Sequence, residues 1–364
     1  MIPQVLAQAG EPVDGAAFLH PCFRIPALVV TPAYRLLAAW DVRADWRDLP
    51  GPFDVAYRCS DDLGNSWGPL KVLRAHTARS GFGDASFIVS STAVHCWYVG
   101  SMGRSFFDAE AGPDGEGLRL WLATSQNDGE TWRHRDLTAE LKPSDVTGMF
   151  ASSGHGLTLR EGGFAGRMLQ PFVLRTVDGE HFAAMAYSDD DGDTWALGER
   201  IGPDCDENKV TELPGGRVLL HARATPRRRY AVSDDGGVTF GDPQPHGQLV
   251  DPACNGGLSR WGDRLVCTLL DDPSERRRLS LRWSDDDGET WSDAILIAQG
   301  ASAYSVALEL PDGALGLAWE YGNYEAIAFV RIERDQVGWD GQAPALEPYP
   351  GSPGAAAPPE VAVA

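Results

Sequence analysis

An eight-residue box recurs five times along this chain, and its repetition limits the fold more than any other feature. The copies are Ser60 to Trp67, Ser125 to Trp132, Ser188 to Trp195, Ser233 to Phe240 and Ser284 to Trp291, all fitting S-x-x-x-G-x-[ST]-[WF]. Asp and Asn crowd the second to fourth positions; their side chains close turns on backbone N–H groups, and the Gly supplies positive φ. The Ser or Thr and the closing aromatic suit the start of a strand, with the ring tucked into an apolar layer. Each copy therefore reads as a hairpin turn pinned by its own carboxylate. A calcium loop is the rival reading, but an EF-hand needs a Glu about six residues beyond the Gly and flanking helices, and neither is present.

The copies start at 60, 125, 188, 233 and 284, roughly 45 to 65 residues apart, the spacing of one four-stranded propeller blade with loops of varied length. At about 56 residues per unit the 364 residues hold about six units. The expected fold is all-β, a six-bladed β-propeller with repeated box turns and a polar, concave central channel. Residues 1–21 read as a lead-in, 22–341 as the propeller, and 342–364 as a tail rich in Pro and Ala that is expected to be disordered.

A hydrophobic content of 43%, with 41 Gly and 12 Trp, suits a large, turn-rich β protein. The formal net charge of −21 and a pI near 4.7 argue against nucleic acid or an anionic membrane surface as a partner. An anionic ligand would need cations gathered locally. The six cysteines, Cys22, Cys59, Cys96, Cys205, Cys254 and Cys267, show no C-x-x-C pair and no metal-ligand spacing. They read as buried thiols, and neither a metal nor a cofactor is expected. Met1 to Gly10 has no basic n-region and no apolar h-region, and no run is long enough for a membrane span. A cytoplasmic location without membrane insertion is the expectation, or secretion if a leader has been removed.

Between the boxes lie several segments with chemistry. Phe23-Arg24-Ile25-Pro26 opens the first expected strand, and its Arg either snorkels at the strand end or is aimed into the channel. Trp40 to Pro52 has turn chemistry and reads as a loop over the channel mouth; it holds Arg43, Asp45 and Asp48. Ser80 to Ser86 is a Gly-rich turn around Asp84, and Gly148 to Gly156 reads as a loop whose His155 faces either ligand or backbone. After the third box comes Asp206-Glu207-Asn208-Lys209; Leu213 to Ala222 reads as a turn and a strand with Arg223 at its far end. Asp251 to Gly257 reads as a loop and Leu265 to Leu270 as a buried strand. Glu275-Arg276-Arg277-Arg278 is either a solvated face or an anion-binding patch. Tyr304 stands between small residues, which leaves room around its hydroxyl, and Ala314 to Trp319 reads as a further strand.

F-R-I-P followed by several S-x-D-x-G-x-T-W boxes resembles the exo-sialidases, or neuraminidases, of glycoside hydrolase family 33, over about residues 22 to 330. The boxes alone occur in other propeller hydrolases; with F-R-I-P and the later motifs the likeness is more specific. It implies a six-bladed propeller that removes terminal sialic acids from oligosaccharides, glycoproteins or glycolipids. By this likeness Tyr304 is the nucleophile, Glu207 its partner and Asp48 the general acid and base. Arg24, Arg223 and Arg276 would bind the substrate carboxylate, with Arg43 and Asp84 also in the site. On chemistry alone Asp45 and Asp54 compete with Asp48, Glu212 with Glu207, and Arg277 with Arg276 by one step of register. Surface ion pairing is the plainer role for any of these carboxylates.

The implied chemistry is self-consistent. Three arginines can clamp a carboxylate with charge-assisted bonds. A neutral phenol avoids the repulsion that an attacking carboxylate would meet there, which fits the sialidases' place among the exceptions to two-carboxylate glycosidases. The alternatives are a hydrolase of a related ulosonic acid, whether deaminated sialic acid or a Kdo-type sugar, transfer to an acceptor hydroxyl, and a non-catalytic propeller that binds acidic glycans.

Overall fold

Branched and aromatic residues fill the segments between the turns, and in the computed structural model, which describes residues 2–13 and 18–337, those segments are mostly antiparallel strands. The first sheet orders Cys22–Val30, Leu36–Arg43, Phe53–Ser60 and Lys71–Arg74 side by side. Sheets of the same meander follow, built on Gly81–Val89, on Val146–Ala151 and on Asn208–Leu213. The last sheet has seven strands and runs from Gly257–Trp261 to the N-terminal strand Gln4–Gln8. At its middle the 15-residue strand Ile295–Glu309 pairs with Arg277–Ser284 through its first half and with Leu315–Tyr321 through its second. This succession of four-stranded meanders is a β-propeller.

The lead-in contains a strand that the sequence did not signal. Gln4–Gln8 precedes the expected first strand and pairs with Ala326–Ile332, Gln4 opposite Phe329 and Gln8 opposite Ala326. Only five residues long, it is too short for its pattern to declare itself. Leu6 and Val13 join Phe23, Leu28, Trp40, Val306 and Phe329 in one apolar cluster, so the first and last sheets share a core. Trp40 to Arg43 is likewise strand rather than loop; Trp40 and Val42 are buried, and the Asp41–Arg43 pair fills the alternate positions. Asp84 stands within the strand Gly81–Val89, at a bulge between Gly83 and Ser86, and not in a free turn. Val146–Ala151 and Gly154–His155 are strands where a loop was expected. Of the cysteines, four are buried, Cys22 and Cys59 are half-buried, and all six are free. Residues 342–364, the expected tail, lie outside the described residues. Among the described residues no helix is long and apolar enough to cross a membrane.

The boxes form the turns that their composition suggests. In the fifth, Ser284 Oγ donates to Asp286 Oδ1 at 2.7 Å and accepts from Gly288 N at 2.9 Å, while Asp286 Oδ1 accepts from Thr290 N at 2.9 Å. The same contacts recur around Asp62, Asn127, Asp190 and Asp235. Trp67 packs edge-on against Phe329 at 5.1 Å. Gly64 is required twice over, because its φ is +89° and a Cβ there would sit 2.5 Å from the Phe329 ring.

Register separates the two ends of the ring. Arg24 lies opposite Asp41, whereas Ser60, which begins the first box, lies opposite Leu36 at the other end of the same strand. Leu265 likewise faces Ser284, while Leu270 faces Leu279 toward Arg276. The boxes staple one end, and the opposite end is left to carry other residues.

Two outcomes follow from the box geometry. Ser284→Ala removes a buried acceptor and should lower the unfolding free energy by about 1–2 kcal/mol in a denaturant titration; a change no larger than that of an exposed Ser→Ala control would rule out the stapling role. The Asp62 carboxyl is pulled down to about 2, first by the Ser66 hydroxyl and then by its N–H. A depressed carboxylate stabilises above the unfolded range and loses that contribution on acidification, so stability should fall between about pH 4 and pH 2. An Asp62→Asn variant should show a shallower acid decline.

Candidate active site

The F-R-I-P segment forms a bulge. Pairing with Leu36–Arg43 shifts between Arg24 and Ala27, Ile25 has φ of 64°, and Pro26 offers no N–H to the ladder. The bulge turns Arg24 inward and frees the Ile25 N–H, which donates to Glu320 Oε1 at 2.9 Å. Arg24 Nε donates to the same oxygen at 3.1 Å. Its Nη1 reaches Asp48 Oδ1 at 2.9 Å and the Trp46 carbonyl at 3.1 Å. The other Glu320 oxygen accepts from the Tyr304 N–H at 3.0 Å. One fully buried carboxylate thus holds both Arg24 and the backbone of Tyr304.

Tyr304 lies in the strand Ile295–Glu309 where it passes from one partner strand to the other. Its hydroxyl donates to Glu207 Oε2 in a short contact and accepts from Arg223 Nη1 at 2.7 Å; Arg223 Nη1 also reaches Glu207 Oε2 at 2.6 Å. The guanidinium carbons of Arg24 and Arg276 stand 5.8 and 5.6 Å from the Tyr304 ring centroid. Burial pushes the phenol well above its ordinary range; Arg223 opposes this, Glu207 adds to it and Arg276 opposes it, so the hydroxyl is neutral at rest. Arg276 donates to the Tyr324 hydroxyl at 3.2 Å and to the Ala253 carbonyl at 3.0 Å, and Tyr324 in turn lies under Arg24 at 4.5 Å.

A second group surrounds Asp48. Arg43 is buried and donates to Asp48 Oδ1 at 2.8 Å and to Asp41 Oδ2 at 2.7 Å. Asp41 Oδ1 accepts from the Asp84 N–H at 3.0 Å. Burial followed by the Asp41 charge drives the Asp84 carboxyl well above the usual carboxylate range, against the pull of Arg43. Desolvation by the surrounding walls of the site pushes Asp48 upward, but Arg24 and Arg43 outweigh it and leave Asp48 below the usual range. The Asp48 side chain is 79% exposed, so it faces whatever enters.

All eight residues that the sequence singled out, Arg24, Arg43, Asp48, Asp84, Glu207, Arg223, Arg276 and Tyr304, belong to these two linked groups. The competitors point elsewhere. Glu212 accepts from the Arg160 and Glu161 N–H groups, Asp45 pairs with Arg47, and Asp54 holds His76. Arg277 is half exposed and bonded to Asp272 at 2.7 Å and Glu275 at 3.0 Å. His155 has its ring nitrogens 3.0 Å from the Gly156 and Ala307 carbonyls and donates its N–H to one of these backbone oxygens. Sequence reasoning missed Glu320, Asp41, Tyr324 and Asn255. For the first two a signal existed, a lone carboxylate in an apolar strand, in Ala318-Trp319-Glu320-Tyr321 and Ala39-Trp40-Asp41-Val42.

No group of His, Cys, Asp and Glu among the described residues is arranged to hold a metal ion. A cavity of about 1140 Å³ lies away from these groups, between the second and third boxes, and is lined by Arg133, Arg135, Arg167 and Asp189 to Asp193. None of the eight residues lines it.

A BNR repeat-like domain matches residues 34–317, most of the chain. The chain belongs to that family. Its sequence is similar to sialidases. It is 37% identical to the Sialidase of Micromonospora viridifaciens over 324 residues, covering 83% of this chain and 50% of that protein. It is 31% identical to Sialidase-2 of Rattus norvegicus over 251 residues, 60% of this chain and 65% of that one. The chain thus spans half the length of the Micromonospora relative. The Hadza microbial sialidase Hz136 shares the fold with a TM-score of 0.83 at 24% identity, over 92% of this chain and 68% of its own. The intramolecular trans-sialidase of Ruminococcus gnavus does so with a TM-score of 0.78 at 15% identity, over 91% and 99%. These bear out the sialidase likeness read from the motifs.

Removing the Glu320 carboxylate leaves Arg24 a buried cation without its one buried anionic partner. Glu320→Ala should cost about 3–5 kcal/mol in equilibrium unfolding, and Glu320→Gln less. A loss below about 1 kcal/mol for the Ala variant would show that Glu320 does not anchor the site.

Proposed function

We propose that this chain is a retaining exo-α-sialidase, built as a six-bladed propeller, that hydrolyses terminal sialic acids through a covalent tyrosyl intermediate. The six-blade count is supported by the division of the seven-stranded sheet at Ile295–Glu309 into two four-stranded halves, added to the four sheets before it. The observation that carries the chemical reading is the Tyr304 hydroxyl held between Glu207 and Arg223, with the guanidinium groups of Arg24 and Arg276 at 5.8 and 5.6 Å from the ring centroid.

Each residue then has a step. Arg24, Arg223 and Arg276 grip the carboxylate on the anomeric carbon, a gathering of cations that the overall net charge of −21 would not otherwise favour. Glu207 takes the phenolic proton as Tyr304 attacks, so charge forms on oxygen only as the bond does. Asp48 protonates the leaving oxygen and later activates water, which gives net retention. In the free site Arg24 keeps Asp48 ionised; a substrate carboxylate on Arg24 neutralises that field and lets Asp48 take up the proton it must deliver. Asp84 hydrogen-bonds a polar substituent of the sugar.

The test is release of fluorophore from 4-methylumbelliferyl α-N-acetylneuraminide, with the deaminated analogue alongside. Wild type should turn over the first, and Tyr304→Phe should lose at least about 100-fold in kcat. Asp48→Asn should be impaired far more on a sialyl-oligosaccharide than on the aryl glycoside, whose leaving group needs little protonation, by a further factor of about 100. Release from the analogue alone would change the sugar, and no release from either substrate would end the reading. Product analysis separates hydrolysis from transfer to the sugar's own hydroxyl.

A further inference from the structure

Behind Glu207 lies a buried network that the chemistry above does not use. Lys209 is two residues further along, in the strand Asn208–Leu213, and is almost wholly buried. Its Nζ donates to the Ser153 carbonyl in a short contact and to Asn255 Oδ1 at 2.8 Å. The Asn255 amide nitrogen donates to Ser153 Oγ at 3.0 Å and to Glu207 Oε1 at 3.2 Å. The Asn255 carbonyl accepts from the N–H of Ser305, the residue after Tyr304, at 3.1 Å.

We propose that Lys209 is a positioning residue for the Tyr304–Glu207 pair, acting through the carboxamide of Asn255; this rests on the reading of those two residues as nucleophile and base. A carboxamide has two faces of similar shape and opposite polarity. An ammonium group has only donors, so Lys209 obliges Asn255 to present its oxygen to Lys209 and its N–H groups to Ser153 and Glu207. Glu207 is thereby held by one oxygen and left with the other for Tyr304. Without Lys209 the carboxamide can turn over and set its oxygen against the Glu207 carboxylate. The same residue holds Ser305 through its backbone, so Asn255 fixes the separation of base and nucleophile from both sides.

The surroundings fit such a role. Gly154, with φ of +112°, leaves the space that Lys209 occupies; a Cβ there would stand 3.0 Å from Lys209 Cε. Burial pulls the Lys209 amine down to about 7, with Glu207 acting to raise it and Arg228 to lower it further. The charged and titratable groups that act on Lys209 and on the Glu207–Tyr304 pair include Glu207, Arg228, His155, Arg223 and Arg276. An ammonium this costly to bury needs a use, and two acceptors from loops far apart in the chain, Ser153 and Asn255, supply one.

The experiment compares kcat and KM on the aryl sialoside for wild type, Lys209→Met, Asn255→Ala and the double variant. Each single change should lower kcat about 10- to 100-fold with KM within about threefold, since the clamp arginines are untouched. If Lys209 acts through Asn255, the double variant should be no slower than Asn255→Ala alone. Wild-type kcat in Lys209→Met, multiplying losses in the double variant, or a loss confined to KM would each overturn the proposal. Should Lys209→Met not fold, Asn255→Asp decides: a second carboxylate facing Glu207 should move the acid limb of kcat/KM up by at least about one pH unit, and an unmoved limb would refute the role. Absence of turnover in wild type would defeat the sialidase reading itself, whereas an active wild type with unaffected variants defeats only this one.

Discussion

A single buried carboxylate holds the two ends of the ring to one geometry. Glu320 accepts from Arg24 and Ile25, in the first sheet, and from the Tyr304 N–H, in the last. Its partners are up to 296 residues away along the chain. Because burying a carboxylate is expensive unless every lone pair is used, that site tolerates little displacement. The distance from Arg24 to the Tyr304 ring is in effect set by one side chain. The pairing of Gln4–Gln8 with Ala326–Ile332 closes the same seam with backbone hydrogen bonds.

Electrostatics then divide the labour. The chain is strongly acidic as a whole, yet around Tyr304 three guanidinium groups converge, each tied to a fixed acceptor: Arg24 to Glu320, Arg223 to Glu207, Arg276 to the Ala253 carbonyl. Mutual repulsion among them is offset by those anions and carbonyls, so the cluster is preorganised before any ligand arrives. Preorganised charge is worth more than charge that must assemble during the reaction. Asp41, by pairing with Arg43 and fixing the Asp84 N–H, does the same for the carboxylates.

What the sequence made legible was local. The box turns are closed within eight residues, so their composition spells their geometry. Arg24 stood out because an arginine beside Ile-Pro breaks an apolar strand start, and Tyr304 because small neighbours surround it. What stayed hidden depends on partners far away. Glu320 reads as one more residue of a buried strand until Arg24 is placed beside it. Lys209 and Asn255 read as ordinary polar residues near a loop, because the contacts that give them meaning, Lys209 to Ser153 and Asn255 to Ser153 and Glu207, join positions 56, 102 and 48 residues apart. Gln4–Gln8 was missed for the same reason, its only justification being the edge of Ala326–Ile332. The choice between Arg276 and Arg277 turned on one step of register, which the bulges at the start of the strand Arg277–Ser284 leave open to sequence reasoning.

The separation of the stapling turns from the opposite end of the ring has a bearing on inheritance. Loops 44–52, 102–117 and 271–276 all leave the strands at the Arg24 and Tyr304 end, and none of them contains a box. Apart from Asp48 and Arg276, residues there can be exchanged, lengthened or lost by descent while the turns that hold the blades together stay as they are. A lineage carrying this chain can therefore vary one face by drift, with selection for foldability acting largely on the other.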